Sequence, residues 1–240
     1  MQIMKRKNLI WGVTGCLMMI GFASCLKSSP VEPPKPICYI SVVNMSYKAP
    51  PVELWIDGEK VTPPMTPGAF FARYSAVDPG IFDLLFKKAT TDSLVASLPP
   101  SQIYDSSEFY TVLLYDKPAG GAAATRIIDD VTNLDITKAH FRFFQLASDI
   151  PSVDFYIENS KVSSARTPAD NASDPNYNIF TAFEPNVYSI KAKVAGTDSV
   201  VTQTSFSDFV ASGVYTIFLK GRVGGTGDNA LGLSVLRAAN

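Results

Sequence analysis

The sequence predicts an all-β protein whose main part is two tandem copies of one small sandwich domain, preceded by an N-terminal leader. Two observations predict this: short segments in which apolar and polar residues alternate, and the return of the same segments in the second half of the chain. Composition agrees, because 17 Pro and 15 Gly are scattered along the chain, as is typical of many short strands and turns. At 240 residues, the chain is long enough for two such domains.

Residues 1–24 are predicted to form a lipoprotein signal peptide. The cationic run Lys5-Arg6-Lys7 precedes an apolar stretch, residues 9–23, that is too short for a comfortable membrane span. Phe22-Ala23-Ser24-Cys25 resembles the lipobox of bacterial lipoproteins, with Phe22 where Leu is usual, a departure tolerated in the looser lipoboxes of the Bacteroidetes. The resemblance implies lipidation of Cys25 and anchoring of the chain to a membrane. The alternatives are a leader cleaved without lipid and an uncleaved anchor.

Residues 25–37 are predicted to be a Pro-rich tether. A stretch this rich in proline cannot join a sheet and acts as an extended spacer. No acidic run follows Cys25, so the sequence leaves open whether the protein lies on the periplasmic face of the outer membrane or on the cell surface. Apart from Cys25, the chain after the leader contains only Cys38, which excludes an intramolecular disulfide between free thiols.

The repeat is visible by self-comparison. Residues 40–58 align with residues 141–159 without a gap at an offset of 101, and later blocks align at offsets of 106 and 105. Copy one is predicted at residues 38–133 and copy two at residues 139–237, and the link between them, near residues 129–138, is short and polar. The extra residues of copy two fall in a polar loop around Asp170–Asn176, as expected of a surface insertion.

Each copy is predicted to be an immunoglobulin-like or transthyretin-like β-sandwich. Val52, Leu54 and Ile56 alternate with more polar neighbours, which is typical of a strand with one buried face. The segment from Ile81 to Phe86 is also predicted to be a strand, and turn signals such as Asp57-Gly58 and Pro79-Gly80 separate such segments. About seven short strands spaced in this way indicate a small sandwich.

The start of each copy resembles the family called domain of unknown function 4397, found in bacterial secreted proteins and lipoproteins, often as tandem copies. The resemblance rests on Val43-Asn44-Met45-Ser46 followed by the strand from Pro51 to Gly58, and on Pro79-Gly80-Ile81 further along. Copy two departs from the pattern by ending this strand with Glu158-Asn159 rather than Asp-Gly. The family implies the fold and brings no catalytic residues.

Two pairs of equivalent residues are candidate sites. Trp55 and Tyr156 share one repeat position on the predicted outward face, where exposed aromatics stack on sugars or anchor a protein partner. The alternative is that they cover a second sheet, pack on the linker or fill the seam between domains. Ser93 and Ser199 follow aspartate in sequences that resemble the O-glycosylation sequon of Bacteroidetes, and a plain hairpin turn explains them equally well.

The remaining candidate residues give little support for a catalytic or metal site. His140, the single histidine, is interpreted as a polar residue at a strand start. The carboxylates Glu53 and Asp154, like Asp57 and Glu158, are equivalent across the copies and are expected to lie too far apart for a glycosidase pair. The loop from residue 170 to 176 is interpreted as a solvated loop rather than a calcium site. We therefore expect no catalytic residues, no metal and no cofactor.

The predicted function is that of a non-enzymatic cell-envelope lipoprotein acting as a binding or interaction module. Its partners are the membrane, through the lipid on Cys25, and a glycan or an envelope protein. A formal net charge of -1 argues against nucleic acid, which demands a basic face. The alternatives are a carbohydrate-binding lipoprotein of a glycan-uptake system and a fimbria-associated structural anchor subunit.

Overall fold

The computed structural model describes residues 35–71 and 73–238, and Pro36 begins a compact unit that runs to the end of the chain. In the described residues, regular structure consists of eighteen β-strands and three short 3₁₀ helices, without an α-helix. The predicted all-β sandwich fold is confirmed. Within the same residues, no helix is long and apolar enough to cross a membrane. The predicted signal peptide and Cys25 lie outside the described residues.

We define the first half of the fold as residues 38–128. Its strands are β1 (Cys38–Met45), β2 (Val52–Ile56), β3 (Glu59–Lys60), β4 (Ser75–Val77), β5 (Gly80–Ile81), β6 (Leu84–Lys88), β7 (Leu94–Ser97), β8 (Ile103–Tyr104), β9 (Phe109–Asp116) and β10 (Ala122–Ile128). Two four-stranded sheets, in the orders β10-β9-β1-β4 and β3-β2-β6-β7, form a sandwich, and β5 pairs with β8 beside them.

The second half, residues 139–237, has the same strand order. Its strands are β11 (Ala139–Gln145), β12 (Val153–Ile157), β13 (Ser160–Arg166), β14 (Thr181–Phe183), β15 (Asn186–Val194), β16 (Val200–Phe209), β17 (Val214–Lys220) and β18 (Gly232–Arg237). Its sheets run β18-β17-β11-β14 and β13-β12-β15-β16. Each sheet of the second half therefore has a counterpart in the first.

The first strand of each half lies inside its sheet. β1 pairs in parallel with β9, from Tyr39 opposite Phe109 to Met45 opposite Tyr115, and β11 pairs in parallel with β17. Parallel neighbours need a long crossover connection, and here the whole opposite sheet supplies it. The two sheets of each sandwich are thus interleaved along the chain.

The hairpin from β2 to β3 follows directly from its turn residues. Asp57 and Gly58 have φ values of 50° and 83°, the left-handed region that a two-residue hairpin turn requires. The backbone N–H of Asp57 donates to the carbonyl oxygen of Asp83, and the Asp57 carboxylate accepts from the N–H of Asp83. These two bonds hold the backbone of Asp83, the residue directly before β6, against the turn.

Each sandwich has its own apolar core. The first core is largely aliphatic at its centre, with Ile40, Val42, Leu54, Leu84, Val112 and Leu114. The second core is more aromatic, with Phe141, Phe143, Phe155, Phe209, Tyr215 and Ile217. The rings of Phe143 and Phe155 stack with centroids 4.2 Å apart. The two sandwiches thus fill equivalent interiors with side chains of different volume.

Candidate functional site

The two sandwiches pack against each other through the outer faces of the sheets that contain β1 and β11. We call this contact the seam. Its apolar residues include Val43, Met45, Leu113 and Ile127 from the first half and Phe144, Leu146, Phe218 and Leu236 from the second, and the first half adds Tyr47 and Tyr115. The two sets of four occupy equivalent positions. The first three pairs match at the offsets of the sequence repeat, and Ile127 and Leu236 match because they face equivalent residues of the neighbouring strand. At these positions the seam resembles the isologous contact of a two-fold dimer within one chain, whereas Tyr47 and Tyr115 correspond to Ser148 and Lys220.

Beside this apolar patch lies a buried ion pair. Asp129 Oδ1 is 2.7 Å from Arg142 Nη1, and both side chains are almost fully buried. Thr111 and Tyr74 donate hydroxyl hydrogen bonds to Asp129 Oδ2 at 2.5 and 2.8 Å, and Arg142 Nε donates to Thr216 Oγ1 at 2.9 Å. Oδ1 itself accepts no hydrogen bond of good geometry, so its contact with the guanidinium is electrostatic.

Tyr74 remains a hydrogen-bond donor to this pair at any ordinary pH. Burial, and then the negative charge of Asp129, raise the pKa of the Tyr74 hydroxyl well above its usual range. A protonated hydroxyl helps to compensate a buried carboxylate. The polar link after β10 thus begins with Asp129, whose charged side chain is buried between the halves rather than solvated.

A groove opens next to the ion pair, between the two halves. We call it the seam groove, and its volume is about 440 Å³. One wall, from β10 and the link, consists of Thr125, Arg126, Ile128, Asp130, Thr132 and Leu134. The other wall, from the loop before β14, consists of Asn171, Ala172, Pro175, Asn178, Ile179 and Phe180. This volume lies in the range of small-molecule sites.

The ion pair is joined to the groove through Arg142. Its guanidinium lies 4.5 Å from the centroid of the Phe180 ring, and its Nη1 atom donates to the carbonyl oxygen of Asn178 at 3.5 Å. Two residues of the groove wall are thus held by the same side chain that fixes the seam. The groove is consequently a property of the packed pair of sandwiches.

The loop that forms the second wall is fixed by Arg166, the last residue of β13. Its guanidinium makes two hydrogen bonds with Asp170, at 2.8 and 2.7 Å, and a third with the carbonyl oxygen of Phe143 at 2.8 Å. It also lies 3.8 Å from the centroid of the Tyr177 ring. A bidentate, buried arginine of this kind orders the loop firmly.

Asn171 is the most unusual residue of the groove. Its side chain is buried, and neither Nδ2 nor Oδ1 has a hydrogen-bond partner in the protein. Asn178 donates to the Asn171 carbonyl oxygen at 3.2 Å, while its own Oδ1 is also without a partner. Buried amides are nearly always hydrogen-bonded, so three unpartnered atoms beside one groove are unusual, and each of them is closed to solvent in this conformation.

The charged groups of the groove are held apart from one another. Hydrogen bonds from the hydroxyl and then the N–H of Thr132 hold the pKa of Asp130 below its usual value, which keeps this carboxylate ionised. Arg126 donates to the carbonyl oxygen of Ile103, and its guanidinium lies about 5 Å from the ring of Tyr104. The groove can therefore offer amides, hydroxyls and apolar surface to a ligand.

Trp55 and Tyr156 lie outside the two apolar cores, on β2 and β12, and the structure does not bring them together. Each is half-buried. Lys87 Nζ lies 3.8 Å from the Trp55 ring centroid, and Lys193 Nζ lies 5.1 Å from that of Tyr156. Both halves therefore repeat an aromatic residue covered by a lysine of the neighbouring strand, and the two aromatic rings belong to opposite outer sheets.

The four equivalent carboxylates take part in structural contacts. Glu53 pairs with Lys60 at 3.4 Å, and Asp154 pairs with Lys161 at 3.0 Å. Asp154 also accepts hydrogen bonds from the N–H groups of Ala165 and Gly196. Together with the bond from Lys161, they lower the pKa of Asp154. Asp57 and Glu158 each accept a backbone N–H near the start of the next long strand, from Asp83 and Ser189.

The remaining predicted positions are spread over the surface and the seam. Ser93 and Ser199 are exposed in the turns of the β6–β7 and β15–β16 hairpins. His140 is the second residue of β11, is buried, and its Nδ1 atom has no hydrogen-bond partner. In the residues that the structure describes, no three His, Cys, Asp or Glu side chains are placed together as a metal site would require.

Sequence reasoning missed the seam groove and the residues that organise it. Arg142 carried a signal, because a charged residue between Phe141 and Phe143 in a strand points away from the core and needs a partner. Asp129 was recognised only as part of a polar link. Asn171 gave no signal, since an asparagine in a polar loop is ordinary until its burial is known.

The comparisons with known proteins bear on one half of the chain. Residues 38–156 match the model of the family described as domain of unknown function (DUF4397). The match covers the whole first half and continues through β11 and most of β12. No curated protein matches the chain.

Proposed function

We propose, taking as the premise that residues 38–156 carry a domain of the DUF4397 family, that this chain is a non-enzymatic cell-envelope lipoprotein acting as a binding module. The lipobox-like segment at Cys25 supports the anchor, and the Pro-rich stretch after it supports a spacer between lipid and fold. The site of binding is the seam groove.

The mature chain is, in this proposal, a duplicated domain. The common strand order of the two halves supports duplication, and so does the use of the same four apolar positions on both sides of the seam. Duplication explains why a groove occurs between the halves, because two identical sandwiches packed on one face leave clefts at the borders of the contact. The five-residue insertion of the second half then supplies the wall that contains Asn171.

The observation that carries the proposal is the group of unpartnered amide atoms of Asn171 and Asn178 beside the groove. Saccharide hydroxyls both donate and accept, so they match an amide that offers an N–H₂ and a carbonyl. Phe180 and Ile179 add apolar surface of the kind that covers the C–H face of a sugar. A saccharide is therefore the ligand class that the groove supports best.

The groove is tested with Ala172→Trp, which places an indole in its second wall. We expect the unmodified chain to bind a saccharide on a glycan array, and Ala172→Trp to weaken that binding by about tenfold or more because the ring occupies the groove. Ala119→Trp is the matched control, since Ala119 is exposed in the β9–β10 loop. Equal binding by both variants would contradict a ligand site in the groove.

The anchor is tested separately by growing cells with a palmitate analogue. We expect label in the unmodified chain and none in Cys25→Ala. Label retained by Cys25→Ala would refute lipidation at this residue. Protease shaving of intact cells then decides the side of display: digestion of residues 38–240 indicates the cell surface, and protection indicates the periplasmic face.

A second candidate function, a fimbria-associated structural anchor subunit, is favoured by β16. This ten-residue strand is at the edge of its sheet and exposes Phe206. An edge strand of this length can pair with an extended segment of another chain. Its first-half counterpart, β7, has four residues and is followed by Pro99 and Pro100, which block such pairing.

A further inference from the structure

The first sandwich contains a second cavity, of about 530 Å³, that is separate from the seam groove. It opens between residues 59–63 and residues 75–77, at one edge of the sandwich, and reaches down to the edge of the core. Its deep walls are Ile40, Val42, Leu54, Ile56, Val77 and Phe82. Ile40, Val42 and Leu54 are almost fully buried beneath this recess, so it is a feature of the edge of the packed core.

The mouth of the cavity exists because β3 ends early. Pro63 and Pro64 follow it, and a proline cannot donate to a neighbouring strand. At the equivalent positions the second half has Ser164 and Ala165, and there β13 continues to Arg166. The second sandwich is therefore closed along the edge at which the first one is open.

The interior of the cavity exists because three core positions are smaller in the first half. At an offset of 101, the aliphatic residues Ile40, Val42 and Leu54 correspond to Phe141, Phe143 and Phe155. The stacked rings of Phe143 and Phe155 fill the centre of the second sandwich. The first half thus has smaller side chains beneath this edge than the second half, and the recess lies above them.

The lining determines the chemistry of the occupant. Thr62, which is buried in the wall, uses its hydroxyl to accept from the N–H of Leu54 at 2.8 Å, and no unpartnered buried side-chain atom of the described residues belongs to a residue of this wall. An apolar wall whose polar atoms are already paired suits an apolar molecule. The exposed carboxylates of Asp57 and Glu59 lie at the mouth and repel an anionic end group.

We propose that this cavity of the first half is a binding site for a small apolar molecule, neutral or cationic, whose apolar body lies against the edge of the core and whose polar end stays at the mouth beside Asp57 and Glu59. The site is independent of the seam groove. Failure of the groove to bind saccharides would therefore leave this proposal intact, and the reverse also holds.

The first test uses the full mature chain and the neutral fluorescent probe aminoanthracene. We expect saturable binding of one probe per chain, with a rise in fluorescence. Val42→Phe introduces the side chain that the second half has at this position, and we expect it to weaken probe binding by about tenfold or more because the ring fills the space. Val223→Phe makes the same change at an exposed loop position and should bind the probe normally.

Circular dichroism and thermal unfolding show whether Val42→Phe is folded, and a filled cavity predicts an unchanged or higher Tm. Probe binding by folded Val42→Phe at the level of the unmodified chain would overturn the proposal, as would the absence of saturable binding by the unmodified chain.

Glu59→Lys decides the question without changing the core, because Glu59 is exposed at the mouth. We expect this variant to bind the anion decanoate roughly fivefold more tightly than the unmodified chain, with the difference falling as salt is added. Aminoanthracene binding should stay the same. Equal decanoate binding by both chains would overturn the placement of the mouth at residues 57–63.

Discussion

At the scale of single residues, the molecule treats its buried polar groups in two different ways. Asp129 and Arg142 neutralise each other and accept or donate hydrogen bonds with neighbouring hydroxyls, so the buried charge of the seam is compensated. A buried ion pair adds little net stability but is costly to break, and it fixes one alignment of the surfaces it joins. Asn171 is the opposite case, since its buried amide has no partner in the chain.

Asp129→Asn should destabilise the protein by about 3–5 kcal/mol, because it leaves Arg142 buried without a counter-charge. Urea unfolding followed by circular dichroism measures this. Asp130→Asn is the neighbouring control: Asp130 is exposed and accepts hydrogen bonds only from Thr132, so a loss of about 1 kcal/mol or less is expected. Similar losses in the two variants would contradict the importance of the pair.

Tyr104 should make the stability of the fold fall at high pH. Burial raises the pKa of its hydroxyl from 10.0 to about 12. The folded state therefore favours the neutral form, so this contribution is complete below pH 10 and is lost as the pH rises towards 12. We expect Tyr104→Phe to reduce this loss by on the order of 1 kcal/mol, measured as urea midpoints across that range.

At pH 7, Tyr104→Phe should be neutral, since the hydroxyl has no hydrogen-bond partner. Tyr110→Phe is the control, because the Tyr110 hydroxyl accepts from the N–H of Asp105 at 2.8 Å and its removal should cost about 1 kcal/mol. A larger cost for Tyr104→Phe than for Tyr110→Phe at pH 7 would show that the Tyr104 hydroxyl is bonded.

Sequence patterns predict the direction of a side chain better than its surroundings. Alternation along β2 correctly separates Leu54 in the core from Trp55 outside it. The same alternation places Glu53 on the face opposite Leu54, but it does not show that the Glu53 side chain is buried there and paired with Lys60. The aliphatic stem of a lysine can cover a neighbour while its charge stays in water, and a period-two pattern does not contain that information.

At the scale of elements, the turn residues predict where a hairpin turns, but the sequence does not predict where a strand is interrupted. Asp57-Gly58 indicated the β2–β3 turn, and the two strands end there. The segment from Ile81 to Phe86 was predicted as one strand, but it divides into β5 and β6. The cause is the bond from the N–H of Asp83 to the Asp57 carboxylate, a contact between distant residues that holds the backbone out of the ladder.

Edge strand β16 makes a prediction about association. Phe206 is 77% exposed on it, so Phe206→Lys should change the free energy of unfolding by less than about 0.5 kcal/mol. It should also lower concentration-dependent self-association, measured by sedimentation velocity, because edge lysines oppose strand pairing. Ile136→Lys is the control, since Ile136 is also 77% exposed but lies in the link. An equal decrease of self-association in both variants would contradict a specific role of the β16 edge.

At the scale of the whole molecule, the seam joins the two sandwiches through a shared apolar core. Its apolar core contributes side chains from both halves, and the Asp129–Arg142 pair crosses it. Sequence analysis predicted two sandwiches and their order along the chain. It could not predict the seam, because the pattern that marks an outer strand face as apolar does not identify the surface that covers it.

Phe144→Ala should therefore destabilise both halves together, by about 3–5 kcal/mol. After the leader, Trp55 is the only tryptophan, so its fluorescence reports the first half while the substitution lies in the second. We expect the urea midpoints from Trp55 fluorescence and from circular dichroism to fall equally. Phe206→Ala, at an exposed position, should move neither. An unchanged Trp55 midpoint in Phe144→Ala would mean that the halves unfold independently.

The position of β1 has a mechanical consequence. This strand begins at Cys38, at the end of the proposed tether, and lies between β4 and β9 rather than at an edge. Tension between the tether and the C-terminal half passes from β1 into its parallel partner β9 and pulls the two strands along their length. Their seven register pairs then bear the load together instead of opening one after another. The fold is therefore expected to resist a pull on its N-terminus.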